Sequence, residues 1–346
     1  MNCYKFLLIA LPLAMILSCS SDDDSEFEQP EKKSYPIMMT ATERPLADPD
    51  APKGAPGRAP KVTTSTLDEF KVFWFDENSN TFERTGVLMI KDGNIWSGEE
   101  SWPEYYAFDY PDKDLHFYAY NISGDVANMS PEGFGDKGDA AITVKIMEAS
   151  EQQTDLLAGK NVVSYNKCNG VIPMTFDHIS AAVKVNILKT KSLEGYTVDV
   201  REVVLHHIVN QGDYYFEQGE KGTWSLYNDK SEYYSSYTIL AHKDGASTGD
   251  QNSEIEVETS PKQLNKDGDY LFLIPQKLTG WDKSSSLSNS YIEIKCKIYN
   301  KGSQPDANYQ SVYLPLSAEL KMGYINTLNI SMGTALRDKD GNKIFQ

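Results

Sequence analysis

Four constellations in this chain carry residue types that do chemistry in proteins. Gly245-Ala246-Ser247-Thr248-Gly249 has the Gly-x-Ser-x-Gly spacing of a nucleophile elbow, but an elbow needs a helix directly after its serine. Here the next apolar run is strand-like, and two glycines flanking small polar residues are what a hairpin tip uses, so a turn is expected. His206 and His207 are adjacent, and in a regular strand neighbours point to opposite faces, so the pair is not expected to chelate one metal. His178, with Asp177 before it, offers a carboxylate–imidazole pair. No nucleophile is close to it in sequence, which favours a turn ahead of a strand. Asp338-Lys339-Asp340-Gly341-Asn342 places oxygen ligands at alternate positions, as a calcium loop opens. The bidentate glutamate that would close such a loop is missing before Gln346, so an Asp-Gly turn is expected. The sequence therefore predicts no enzyme, no cofactor and no metal site.

The thiol expected to react is Cys19. Lys5 precedes an apolar run from Phe6 to Leu17, and Ser18 is a small residue directly ahead of Cys19. A short basic region, an apolar region too short to anchor as a helix, and a small residue at the cut identify a lipoprotein leader over residues 1–18. Cleavage between Ser18 and Cys19 would leave Cys19 as the acylated N-terminus, and acyl chains worth about 0.8 kcal/mol per buried methylene hold a protein on a membrane. Residues 19–34 read as an acidic tether, because Asp22, Asp23, Asp24 and Glu26 follow at once with nothing apolar between them.

The net charge of −17 argues against nucleic acid and against electrostatic attachment to anionic lipid, since both need clustered Lys and Arg. With Cys3 in the leader and Cys19 acylated, only Cys168 and Cys296 remain. Both read as buried small hydrophobes, with a bridge as the other reading. Without the leader the chain is longer than one hydrophobic core usually organises, which suggests two domains or one elongated one.

Those cores are to be built from strands. A short apolar run, Tyr35 to Thr42, carries Pro36, which restricts it to a first position or an edge. From Pro45 to Pro60 the chain has five prolines, two glycines and no periodicity, the composition of an exposed, extended linker. After it the period becomes two: Leu67 to Phe75, Gly86 to Lys91, Leu115 to Tyr120, Ala141 to Met147, Asp155 to Val163, Val171 to Phe176 and Ala181 to Leu188. Asp92-Gly93-Asn94 is a hairpin signal. Alternation lapses around Lys189 to Glu194, the expected boundary, and resumes at Tyr196 to Ile208, Tyr233 to Ala241, Ile255 to Thr259, Tyr270 to Ile274, Tyr291 to Tyr299, Gln310 to Leu314 and Ile325 to Met332. Many short strands without a blade-length repeat predict an all-β fold of two antiparallel Greek-key sandwiches, rather than a barrel or propeller. The expected domains are 35–60, a detachable strand with a Pro-rich linker, then sandwiches over 61–190 and 191–346. Between two of the strands Tyr214, Tyr215, Tyr227, Tyr233, Tyr234 and Tyr237 cluster with Phe216 and Trp224. They read either as strand formers or as an aromatic platform for sugar faces.

The order LDEFKVFWF, Trp102-Pro103 before LHFYAYNISG, TDLLAGKNVV, VIPMTFDHISAAVKVNI, YLFLIPQ and GYINTLNISMG resembles the fimbrillin family of Bacteroidetes pilins from Leu67 to Met332. The acidic run after Cys19 is similar to the surface-export tag of Bacteroidetes lipoproteins. The resemblance implies transthyretin-like sandwiches, an acylated lipoprotein on the outer face of the outer membrane, and assembly into a fimbrium with other pilin subunits by strand exchange after proteolysis. A host or bacterial surface ligand would be its adhesive target. Similar pilins are processed by a trypsin-like protease, which here has Arg58-Ala59 as the better cut and Arg44 as the alternative, since Pro45 after Arg44 has a rigid ring and no N–H. The tail from Gly333 to Gln346 has Ala335, Leu336, Ile344 and Phe345 as its apolar residues, too irregular to donate a strand. That predicts a terminal subunit, at the tip or the anchor. A surface glycan-binding lipoprotein is the alternative function.

Overall fold

The computed structural model describes residues 35–51, 63, 65–76, 82–102, 107, 109–121, 140–149, 152–217, 220–241, 254–265, 269–282, 289–304 and 308–345, with the side chains of 82–85 left aside. Ser18, Cys19, the acidic tether, Arg58, Ala59 and the Gly245–Gly249 segment lie outside the described residues.

The strands of the first half are β1 (Pro36–Glu43), β2 (Glu69–Asp76), β3 (Phe82–Asp92), β4 (Ile95–Ser101), β5 (Leu115–Asn121), β6 (Ala141–Lys145), β7 (Leu157–Val163), β8 (Val171–His178) and β9 (Ala181–Lys189). Those that follow are β10 (Tyr196–Val209), β11 (Gln211–Tyr215), β12 (Thr223–Leu226), β13 (Tyr234–Ala241), β14 (Ile255–Glu256), β15 (Lys262–Gln263), β16 (Leu271–Leu273), β17 (Gln276–Leu278), β18 (Tyr291–Asn300), β19 (Gln310–Pro315), β20 (Ala318–Leu320) and β21 (Ile325–Met332). The chain is an all-β sandwich protein.

The apolar runs of β2 and β5 are continuous because each strand faces a core on both sides. Phe70, Val72 and Trp74 enter one core with Leu115, Phe117 and Ala119. Phe73 and Phe75 enter the other with Tyr118 and Tyr120. The register pairs Phe73 with Tyr118, whose rings stack at 5.1 Å. The Asp92-Gly93-Asn94 hairpin forms as expected, with Asp92 opposite Ile95 and Gly93 at φ 62°, a conformation glycine adopts without steric cost.

Two features depart from the antiparallel expectation. β1 runs parallel to β8, and β9 runs parallel to β21. β1 is also no edge. It bonds β4 on one side and β8 on the other, so hydrogen bonding in the first group closes as β1-β4-β3-β2-β5-β7-β8. Pro36 is tolerated because it is the first residue of the strand. Among the described residues four strand pairings cross residue 190: β6 joins β11, and β9 joins β15, β16 and β21.

Candidate functional site

The residues that set β1 apart are its own apolar side chains and the bonds at its two ends. Alternation along PIMMTATE turns Ile37 and Met39 inward, where they are 1% and 0% exposed. They pack in the core that holds Phe70, Trp96, Ile172, Met174 and Phe176. Tyr35, two positions ahead of Ile37, is only half-buried. Its ring instead meets Tyr165 edge-on at 5.6 Å. At the start of the strand Trp102 N donates to Tyr35 O at 2.7 Å, and at its end Arg44 N donates to Phe176 O at 2.9 Å. The Arg44 guanidinium reaches both Asp177 oxygens, at 3.0 and 2.8 Å. That pair is more than half exposed on the arginine side and so contributes at most about 1 kcal/mol. Burial of Ile37 and Met39 contributes roughly 3–6 kcal/mol at 1.5–3 each.

Among the described residues 45–51, the chain is tied down at points where its composition suggests an exposed linker. Leu46 is 1% exposed and packs with Ala182, Tyr270, Phe272 and Ile325. Ala47 forms a parallel bridge with Tyr324: its N–H donates to Gly323 O at 3.0 Å, and Ile325 N donates to Ala47 O at 2.9 Å. Thr327 Oγ1 donates to Asp50 at 2.6 Å. Sequence reading missed Leu46 because a single leucine among prolines has no periodic signal.

The other sequence candidates resolve differently. His206 and His207 do not face apart. β10 bulges between Leu205 and Ile208, His207 takes φ 61°, and both imidazoles line one open cavity of about 210 Å³ with Ser231, Tyr234 and Tyr291. The extra residue of a bulge re-aims the side chain. His206 stacks on Tyr291 at 4.6 Å and His207 on Tyr234 at 3.9 Å. Burial lowers both imidazoles below the usual value, opposed at His206 by Glu293. His178 pairs with Asp155, not Asp177: Nδ1 lies 2.6 Å from Asp155 Oδ2, and Ser180 Oγ donates to Asp155 Oδ1 at 2.7 Å. All three are buried, and the serine reaches the carboxylate rather than the imidazole, so this is a structural network.

Asp338 Oδ1 accepts from Asp340 N and Asn342 N at 2.9 and 2.8 Å, and Oδ2 accepts from Asn342 Nδ2 at 3.0 Å. Those bonds, led by the one from the Asn342 side chain, lower its carboxyl below the usual range. The carboxylate is thus turned onto the loop's own donors. Tyr214, Phe216 and Tyr237 are buried in the core and cannot form an exposed platform. Cys168 and Cys296 are both free and sit in different packing groups, with burial pushing the Cys296 thiol up to about 12.

A fimbrillin-like family model matches residues 57–344. The chain belongs to the fimbrillin-like family. Membership sets it among fimbrial and adhesion proteins of the cell surface. A fimbrial protein from Bacteroides vulgatus has a similar structure, at 15% identity and a TM-score of 0.51, covering 85% of this chain and 95% of that one. The fimbrial anchor protein Mfa2 from Porphyromonas gingivalis aligns at 11% identity and a TM-score of 0.39, over 86% of this chain and 90% of that one. No curated protein matches the sequence. For this fimbrillin-like chain, β1 and its groove are the candidate functional site.

Proposed function

We propose that this protein is a surface lipoprotein subunit of a fimbrium, acylated at Cys19 in the outer membrane, whose β1 is the exchangeable strand of the first ring. The observation that carries the reading is that β1 is bonded on both sides, fills the core with Ile37 and Met39, and connects to the rest through a segment rich in proline. Cleavage after Arg58 releases β1, and the vacated groove takes a strand from a partner subunit by main-chain pairing plus pocket filling. The Arg44-Pro45 bond is the poorer cut on a second ground: Arg44 is held at Asp177 and Leu46, two residues on, is buried.

The terminal position is supported by the tail. Leu336 is fully buried, Ile344 and Phe345 pack against the same core, Tyr313 N donates to Arg337 O at 2.9 Å, and Phe345 meets Tyr196 edge-on at 5.4 Å. A tail used this way inside its own subunit is not free to donate. The role is structural and adhesive, without catalysis. A copy cut after Arg58 loses its link to Cys19 and is held through partners, whereas an anchoring copy stays uncut. N-terminal sequencing of the protein from sheared fimbriae and from membranes tests this. Ala59 in the sheared fraction and a blocked Cys19 in membranes are expected, and a fimbrial copy that begins elsewhere refutes the cut.

A further inference from the structure

The segment that strand exchange would remove touches the protein in two places, and the second lies outside the ring. β1 ends its pairing with β8 at Glu43 opposite Phe176. Leu46, seven positions after Met39, then enters a small apolar group of its own. That group is made by Ala182 of β9, Tyr270, Phe272 of β16 and Ile325 of β21, and it is separate from the two main cores. Main-chain bonds on both sides of Ala47 fix the depth of the leucine. A side chain pinned by a bridge one residue later cannot slide by two positions without losing those bonds.

We infer that the strand-accepting site has a second pocket, lined by Ala182, Tyr270, Phe272 and Ile325, which sets the register and the identity of the partner strand. The inference rests on the strand-exchange reading above. The partner segment is an extended peptide with apolar side chains at the Ile37 and Met39 positions and a third one seven positions beyond the second. The residue after that third one must be able to pair its backbone with the start of β21. A basic residue two positions ahead of the third anchor answers Asp177, which Arg44 now engages. This exposed pair orients the strand more than it holds it. A strand that fills only the ring groove leaves Phe272 and Ile325 open to water. Without the third anchor, registers differing by two residues present the same face to the groove, and the pocket removes that degeneracy.

The test uses the full chain with a site for a sequence-specific protease placed between Asp50 and Thr63. After cleavage, uptake of fluorescent peptides is measured by competition. The peptides are residues 35–48, residues 35–43, and 35–48 carrying Leu46→Asp. Full burial of one leucine corresponds to a difference of about 10- to 100-fold in affinity. The 35–48 peptide is therefore expected to bind at least about 10-fold more tightly than the other two, which should resemble each other. A Leu46→Met peptide, similar in volume, should stay within a few-fold of the parent. Equal binding of 35–48 and its Leu46→Asp form overturns the second pocket while leaving strand exchange intact. If no peptide is taken up while the chain stays folded, strand exchange itself is wrong and the pocket proposal falls with it.

Discussion

Replacing Met39 by alanine in the intact chain tests the register of β1 directly. Met39 is 0% exposed and lies in a core with Phe70, Trp96, Ile172 and Phe176, so truncation removes buried methylene and sulfur contacts and leaves a cavity. Such changes cost about 2–5 kcal/mol. At about 2 °C of melting temperature per kcal/mol for a chain of this size, the expected loss is about 4–10 °C. Met38 is the internal control: it is the half-buried neighbour on the opposite side of the strand, and Met38→Ala should cost about 1 kcal/mol or less. Met39→Leu, which keeps the volume, should recover most of the loss, with a residual cost below about 1.5 kcal/mol. Differential scanning calorimetry of the three variants decides the matter. A Met38→Ala loss equal to or larger than that of Met39→Ala would mean that the strand is shifted by one residue, and the groove described above would be wrong.

Cys19→Ala should abolish incorporation of a fatty-acid analogue and release the protein from membranes, and continued labelling would place the anchor elsewhere. Asp155→Ala strips His178 and Ser180 of their buried acceptor and should cost about 3–5 kcal/mol in urea unfolding. Asp177→Ala should cost about 1 kcal/mol or less, and the reverse order would restore the sequence-based pairing of His178. Glu217 is approached by His116 at 3.8 Å, accepts from Tyr118 at 2.8 Å and lies 3.5 Å from Lys160. Together they hold its carboxyl down to about 2. A depressed folded-state value contributes stability that is full above the ordinary value near 4.5 and is lost as pH falls from there to about 2. The stability gap between wild type and Glu217→Gln should therefore shrink across that window, and a gap constant from pH 6 to pH 2 would contradict the assignment.

The strands with two buried faces, β2 and β5, were legible because their apolar runs are long and bounded. The hairpin at Gly93 was legible because its turn chemistry is local. What stayed hidden depends on partners far away in the chain. The parallel pairing of β1 with β8 joins residues more than a hundred positions apart, and nothing within either segment encodes the direction of its neighbour. β11, β12, β15, β17 and β20 are too short or too polar to alternate visibly. The two histidines were misplaced because period-two reasoning assumes an unbroken ladder, and the bulge at His207 breaks it. Composition misled at Leu46, where a Pro-rich stretch reads as linker although its one leucine is fully buried.

The central claim is that β1 is a removable part of the first ring. The most direct measurement is the thermal melt of the full chain cut between Asp50 and Thr63 and stripped of the released segment under mild denaturant, with and without the peptide of residues 35–48. The account predicts a marked fall in melting temperature on stripping and its recovery in proportion to added peptide. A stripped protein that melts like the uncut chain, or that regains nothing from the peptide, would contradict it.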